Sequence, residues 1–220
     1  MRVLVLSAHA DDETFGMGGT ILRHKDEGDE LYWMTFTKPW YPKWDNEFIK
    51  KRLNDIYKVA KYYDFNDMFI MNWKDNRMDE NSMDDYQSKL IKILEKIKPE
   101  IIYYPTPYDM NYEHRMISKI VEFSTKPYYS EYITALISYE IPSSTECSLV
   151  SGVFKPNYYV DITDYIEGKI KAIRLYETEI KKFPHPRSEE YIIALSKVRG
   201  GECFCEYAEG FQVHRYLWRR

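Results

Sequence analysis

The sequence predicts an α/β fold: a three-layer, Rossmann-like arrangement with a mostly parallel sheet and helices on both faces. Three observations point there. Short β-rich runs alternate with longer segments of helical period, which is how parallel sheets with right-handed crossovers are written. The first run, residues 3–7, is apolar up to Ser7 and rich in β-branched residues, as suits a strand buried on both faces. Polar clusters follow the first and fourth runs, where open α/β sheets place their ligands.

The elements read in order as follows. After residues 3–7 come Gly16, Gly18 and Gly19, then a helical pattern through Ile21 and Leu22 that ends near Gly28. Residues 30–37 form a second strand. A loop rich in Pro and Trp, 38–45, leads to a helix over 46–63. Residues 68–71 are a third strand, 84–98 a helix that stops before Pro99, and 100–104 a fourth strand, with a helix starting near Tyr112. The second half is less regular: a fifth strand over 133–141 and amphipathic helices over 164–183 and 188–199. No repeat, low-complexity stretch or long linker divides the chain, so residues 1–220 read as one domain.

Composition narrows the function classes. The net charge is −4, with charged residues (30% of the chain) interspersed, so no basic field awaits a nucleic acid. No run approaches the roughly 20 apolar residues of a membrane span, and the first apolar run is too short for a signal sequence, so the expected compartment is the cytoplasm. Three cysteines without framework spacing read as reduced thiols. Cys203 and Cys205 are expected in a strand, and the bland reading for all three is burial.

Chemistry concentrates in His9-Ala10-Asp11-Asp12-Glu13, directly after the first strand. In the strand order 3-2-1-4-5, strands one and four are neighbours where the order reverses. The fourth strand runs into Asp109, Asn111, Glu113 and His114, so two clusters about 100 residues apart should face one crevice. Two imidazoles and a carboxylate suit Zn²⁺ with an open position, which assigns His9, Asp12 and His114 as ligands. Fe²⁺ or another divalent metal is the alternative, although the usual iron facial triad sits on an all-β fold. Zinc would make hydroxide available near pH 7, and Asp11 is left to act as general base. Taken alone, three acids at this point also read as favourable charges at a helix N-terminus. The glycines do not complete a dinucleotide fingerprint, because Ile21 takes the last position; they read as close approach of helix to sheet.

His9-Ala10-Asp11-Asp12-Glu13 followed by Gly18-Gly19-Thr20 resembles the signature of the LmbE-like, or PIG-L, N-acetylglucosaminyl deacetylases, with Ala8 and Ala10 where that signature commonly has prolines. Glu113-His114 stands for the family's Asp-His, and Asn111 for a frequent histidine that steadies an oxyanion. An amide can donate there but cannot act as an acid, so Asp11 is the candidate to carry the proton to the leaving amine. The resemblance implies an LmbE-like fold and zinc-dependent removal of acetyl from an amino sugar, with a small-molecule or glycan substrate and a trimer or hexamer. It also implies that Arg52, Asp75 and Arg77 lie near the substrate, and Asp109 is assigned with them. His185 and Arg187, in Phe183-Pro184-His185-Pro186-Arg187-Ser188, are candidates for oxyanion or anion contacts, with local pairing as the alternative.

Trp40, Tyr41 and Trp44 lie on the loop after strand two. Aromatic faces suit sugar rings, while a lid or a subunit contact explains them equally. His24 is expected on an exposed helix face and His214 among basic surface residues. Two other classes stay open: a hydrolase of another N-acyl or N-formyl substrate, and a non-catalytic glycan-binding module. Amine release from a substrate panel separates them.

Overall fold

A computed structural model of the protein describes residues 1–218. Its seven-stranded sheet has the order β3-β2-β1-β4-β5-β7-β6. The first five are parallel: β1 (Arg2–Ser7), β2 (Glu30–Lys38), β3 (Asp67–Lys74), β4 (Ile101–Pro105) and β5 (Ala135–Tyr139). β1 pairs with both β2 and β4, which makes it the strand at which the order reverses.

The alternation of side chains along β1 builds the three layers. Val3 and Val5 face α1 (Asp12–Asp26), α2 (Asn46–Tyr63) and α5 (Ile166–Leu175), through Met17, Ile21, Ile56, Val59 and Ile166. Leu4 and Leu6 face α3 (Met83–Ile97) and α4 (Tyr112–Ser124), through Leu90, Leu94, Ile117 and Val121. A strand buried on both sides needs apolar or hydrogen-bonded residues at every position; residues 3–6 are apolar, and the Ser7 hydroxyl accepts from Trp33 Nε1. α6 (Glu189–Cys203) packs Ile192 on Phe15, Ile170 and Ile173 at the margin. Side-chain caps start several helices: Asp45 accepts from the Phe48 N–H, Ser82 and Asp85 form a reciprocal capping box, and Ser188 accepts from the Tyr191 N–H.

Several expectations are corrected. The helix expected over 164–183 covers only Ile166–Leu175, because Tyr176 turns inward, fully buried, to donate its hydroxyl to Glu13. The fifth strand is trimmed to Ala135–Tyr139. Two strands were missed, β6 (Tyr158–Asp161) and β7 (Ala208–Tyr216), which add to the sheet antiparallel. Residues 203–205 are not a strand: Cys203 ends α6 and Phe204 caps it. The cysteines are not core residues either, since Cys147 and Cys203 are exposed and Cys205 half-buried. His24 is buried rather than exposed, bridging Asp29 and the Tyr103 hydroxyl. Among the described residues no helix is long and apolar enough to cross a membrane.

Candidate active site and metal centre

The carboxyl ends of β1 and β4 deliver their loops to one point. The turn after β1 is tight. Asp11 has φ 152°, rare for a residue with a Cβ, and is held there by its N–H on Glu13 Oε2 and by its carbonyl, which accepts from Thr14 and Phe15. α1 must then lie directly on the sheet: a Cβ on Gly16 would sit 2.4 Å from the Tyr139 ring. After β4, Asn111 caps α4 by accepting from the Glu113 N–H, and the Glu113 and His114 side chains turn inward.

His9, Asp12 and His114 converge, each offering a ligand atom within 4.8 Å of the others. The imidazole centroids are 5.4 Å apart. Each ring is fixed from behind by a carboxylate. His9 Nε2 lies 2.7 Å from Glu113 Oε2, so that nitrogen carries the proton and Nδ1 faces Asp12 at 3.6 Å. His114 Nδ1 lies 3.1 Å from Asp109 Oδ1, which leaves Nε2 to face Asp12 at 3.3 Å. Carboxylates backing histidines in this way set the tautomer in metal sites. Glu113 in turn collects the backbone N–H groups of Asn76, Arg77 and Met78, and Asp109 the hydroxyls of Ser144 and Thr145.

The three residues fit a divalent cation. Asp12 Oδ1 and His114 Nε2 are buried and face each other at 3.3 Å without a hydrogen bond, an arrangement that a cation between them would relieve. Burial alone would lower both histidines. Hydrogen bonds to Asp12 and Glu113 instead raise His9 to about 10, and Asp12 with Asp109 raises His114 to about 9. Asp12 is held well below the usual carboxylate range by His114 and His9, against its own desolvation. The field at this point favours cations.

Asp11 stands beside the trio in a ring of four charges. Its Oδ2 lies 2.9 Å from Arg187 Nη1 and 3.3 Å from Arg52 Nη2. Glu179 closes the ring, 2.8 Å from Arg187 and 3.5 Å from Arg52. Burial pushes Asp11 up, the two guanidiniums pull it down, and the net shift is upward. Its other oxygen, Oδ1, is buried and unpartnered. Arg187 Nε also donates to Ser143, while Arg52 donates to the Ala10 carbonyl and covers the Tyr176 ring. Burial lifts Glu13, on the far side of Asp11, to about 8 against hydrogen bonds from Tyr176 and Thr14.

These groups open onto a cavity of about 400 Å³, within the range of small-molecule sites. Of the residues singled out in the sequence, His9, Asp11, Arg52, Asp75, Asn111 and Arg187 line it. Other expectations do not hold. Asp109 is fully buried behind His114 and cannot reach a ligand. Arg77 points outward to Glu80, and only its backbone N–H serves the site. His185 is exposed, its Nδ1 accepting from the Arg187 N–H. Trp40 donates to the Asp75 carbonyl beside the cavity, and Tyr41 is 69% exposed. Trp44, the third aromatic of that loop, stacks 4.4 Å from Phe48, and these two form the aromatic wall. Glu179, Thr178 and Lys181 went unnoticed, because residues 177–182 look like any charged helical face.

The model of the family described as GlcNAc-PI de-N-acetylase (PIG-L) matches residues 4–123. Diacetylchitobiose deacetylase of Thermococcus kodakarensis is 24% identical over 223 residues, spanning 96% of this chain and 82% of that protein. The structure of N,N'-diacetylchitobiose deacetylase from Pyrococcus horikoshii, complexed with its inhibitor MPG, superposes with a TM-score of 0.77 at 25% identity, covering 97% of this chain and 84% of that one. GalB, the 4-carboxy-2-hydroxymuconate hydratase of Pseudomonas putida, superposes equally well, with a TM-score of 0.76 at 18% identity over 100% and 98% of the two chains. That likeness shows the fold alone.

Proposed function

Because the chain belongs to the PIG-L family, we propose that it is a metal-dependent N-deacetylase, hydrolysing the acetamide of an N-acetylated amino sugar to the free amine and acetate. The observation that carries this reading is the convergence of His9, Asp12 and His114, with buried and unpaired ligand atoms, beside Asp11 on the wall of the cavity.

His9 Nδ1, Asp12 and His114 Nε2 would hold the ion, zinc by the donor set, with Fe²⁺ the alternative. A divalent cation there supplies Lewis acidity toward the amide carbonyl and acidifies water. Asp11, with Oδ1 unpartnered, accepts the proton from the attacking water and passes it to the departing nitrogen. Asn111 spends its oxygen on the α4 cap, so its amide N–H group is the end available to the developing oxyanion. The Arg187 guanidinium adds positive charge on the same wall. Substrate hydroxyls, which donate and accept, match two buried atoms that make no hydrogen bond: Arg52 Nη1 as donor, 3.5 Å from Glu179, and Asp75 Oδ1 as acceptor. Trp44 and Phe48 offer an apolar face to the ring.

The test is amine release from a panel of N-acetylated and N-formylated sugars and non-sugar amides, with metal content measured on the same sample. We expect turnover of N-acetyl amino sugars that a chelator stops and zinc restores. Metal-replete protein that releases amine from none of the sugars would overturn the reading.

A further inference from the structure

Cys203 and Cys205 lie outside the site just described. In a strand, their side chains would run parallel, roughly 6.6 Å apart at a rise of about 3.3 Å per residue. The chain does something else. Phe204, between them, is left-handed (φ 65°, ψ 44°), and its N–H and that of Cys205 both return to the Gly200 carbonyl. A left-handed residue of this kind closes a helix by folding the chain back on its last turn. Here the fold-back brings the two Sγ atoms to 3.4 Å.

The backbone turn brings the two residues together. A Cβ on Gly200 would meet the Cys205 carbonyl oxygen at 2.5 Å and that of Glu206 at 2.7 Å, so the turn is pressed against the helix. Both sulfurs are held only weakly: Cys203 by the Arg199 and Gly200 carbonyls, Cys205 by that of Tyr207. Cys203 is exposed and Cys205 half-buried, with Phe204 between them in open solvent. Cys147, also exposed, has no sulfur within hydrogen-bonding distance.

We infer that Cys203 and Cys205 form a dithiol modification site, closed into an intrachain disulfide by exchange with a small-molecule disulfide of the glutathione class. The Cys203 thiolate attacks one sulfur of the small disulfide, whose S–S bond breaks and releases one thiol. Cys205 then gives up its proton and attacks the Cys203 sulfur of the mixed disulfide, displacing the second thiol. Two protein thiols and one small disulfide become one protein disulfide and two small thiols, and two electrons leave the protein. Desolvation and the Cys203 thiol push Cys205 up to about 12, which leaves the first attack to Cys203. A bond closing so short a loop at the surface is of the labile, reversible kind.

Tryptic cleavage after Arg199 and Arg215 isolates both cysteines from Cys147. The full-length protein is incubated with oxidised glutathione, acid-quenched, digested and weighed. The 200–215 peptide should be lighter by two hydrogens and free of adduct, while Cys147 carries one glutathione. Reduced glutathione should reverse both changes, and Cys205→Ser should leave a stable adduct on Cys203. Separate adducts on 203 and 205 in the wild type would overturn the assignment. So would an unreacted 200–215 peptide beside a modified Cys147, or a bridge from either residue to Cys147.

Discussion

Two histidine–carboxylate clusters sit at opposite edges of the same sheet, and each brings three ligand-type atoms within 4.8 Å of one another: His9, Asp12 and His114 at the carboxyl edge, His24, Glu27 and Asp29 at the amino edge. Their composition is nearly the same, but their hydrogen bonding is not. His24 spends both nitrogens, on Asp29 at 2.7 Å and on the Tyr103 hydroxyl at 3.1 Å. Asp29 is taken up by the Met1 amine as well, and Glu27 by Arg23. At the carboxyl edge each imidazole has one nitrogen backed by a carboxylate, while Asp11 Oδ1 is buried without a partner and His114 Nε2 and Asp12 Oδ1 face each other at 3.3 Å without a hydrogen bond. Clustering alone does not mark a site. Clustered imidazole and carboxylate atoms that are buried and make no hydrogen bond do, because a cation between them would offset the cost of burying them.

The contrast can be broken most directly at a ligand. His114→Ala should abolish stoichiometric metal binding and reduce turnover to background, as read by metal analysis and amine release. Bound metal that survives this change would show that the unpaired atoms had been misread. Asp11→Asn comes next: metal content should hold while kcat falls about 10²–10⁴-fold, the usual worth of a positioned acid–base group. Asp109→Asn should weaken metal affinity by about 10–100-fold, as loss of a carboxylate behind a ligating histidine does; unchanged affinity would make Asp109 a structural residue only. Glu179→Gln removes one charge from the ring around Asp11. A loss of about tenfold in kcat, or 1.4 kcal/mol, is within the worth of a charged hydrogen bond. KM and metal content should stay near wild type, and a change in KM alone would move Glu179 from positioning Arg187 to contacting substrate.

The same contrast explains what was legible in the sequence. Strands buried on both faces declare themselves as unbroken apolar runs, so Val3 to Leu6 gave β1 and its neighbours, and the topology then brought His9 and His114 together. β6 and β7 are an edge pair with mixed burial, and neither has a run to find. His24 looked exposed because its partners, Asp29 and Tyr103, come from other elements and leave no helical period. Arg187 was within reach of a motif, whereas Glu179 was not, since its role depends on where the chain turns after Tyr176. Of the aromatic loop the sequence offered, Trp44 lines the cavity, stacked on Phe48 of the following helix, whereas Trp40 turns to the Asp75 carbonyl and Tyr41 is exposed.

The smallest expected effect on chemistry is at the amino edge, and it tests the contrast from the other side. His24→Leu strands the Asp29 carboxylate and the Tyr103 hydroxyl without their shared partner. Leaving such groups under-paired costs about 1–3 kcal/mol. For a chain of this size each kcal/mol is worth roughly 2–4 °C in Tm, so a thermal melt should register the change. Metal stoichiometry and kcat should not move, because His24 lies at the far end of α1 from Asp11 and each of its nitrogens already has a protein partner. A wild type that binds two ions and a variant that binds one would place a second cation at the amino edge, and satisfied hydrogen bonding would no longer separate the two clusters.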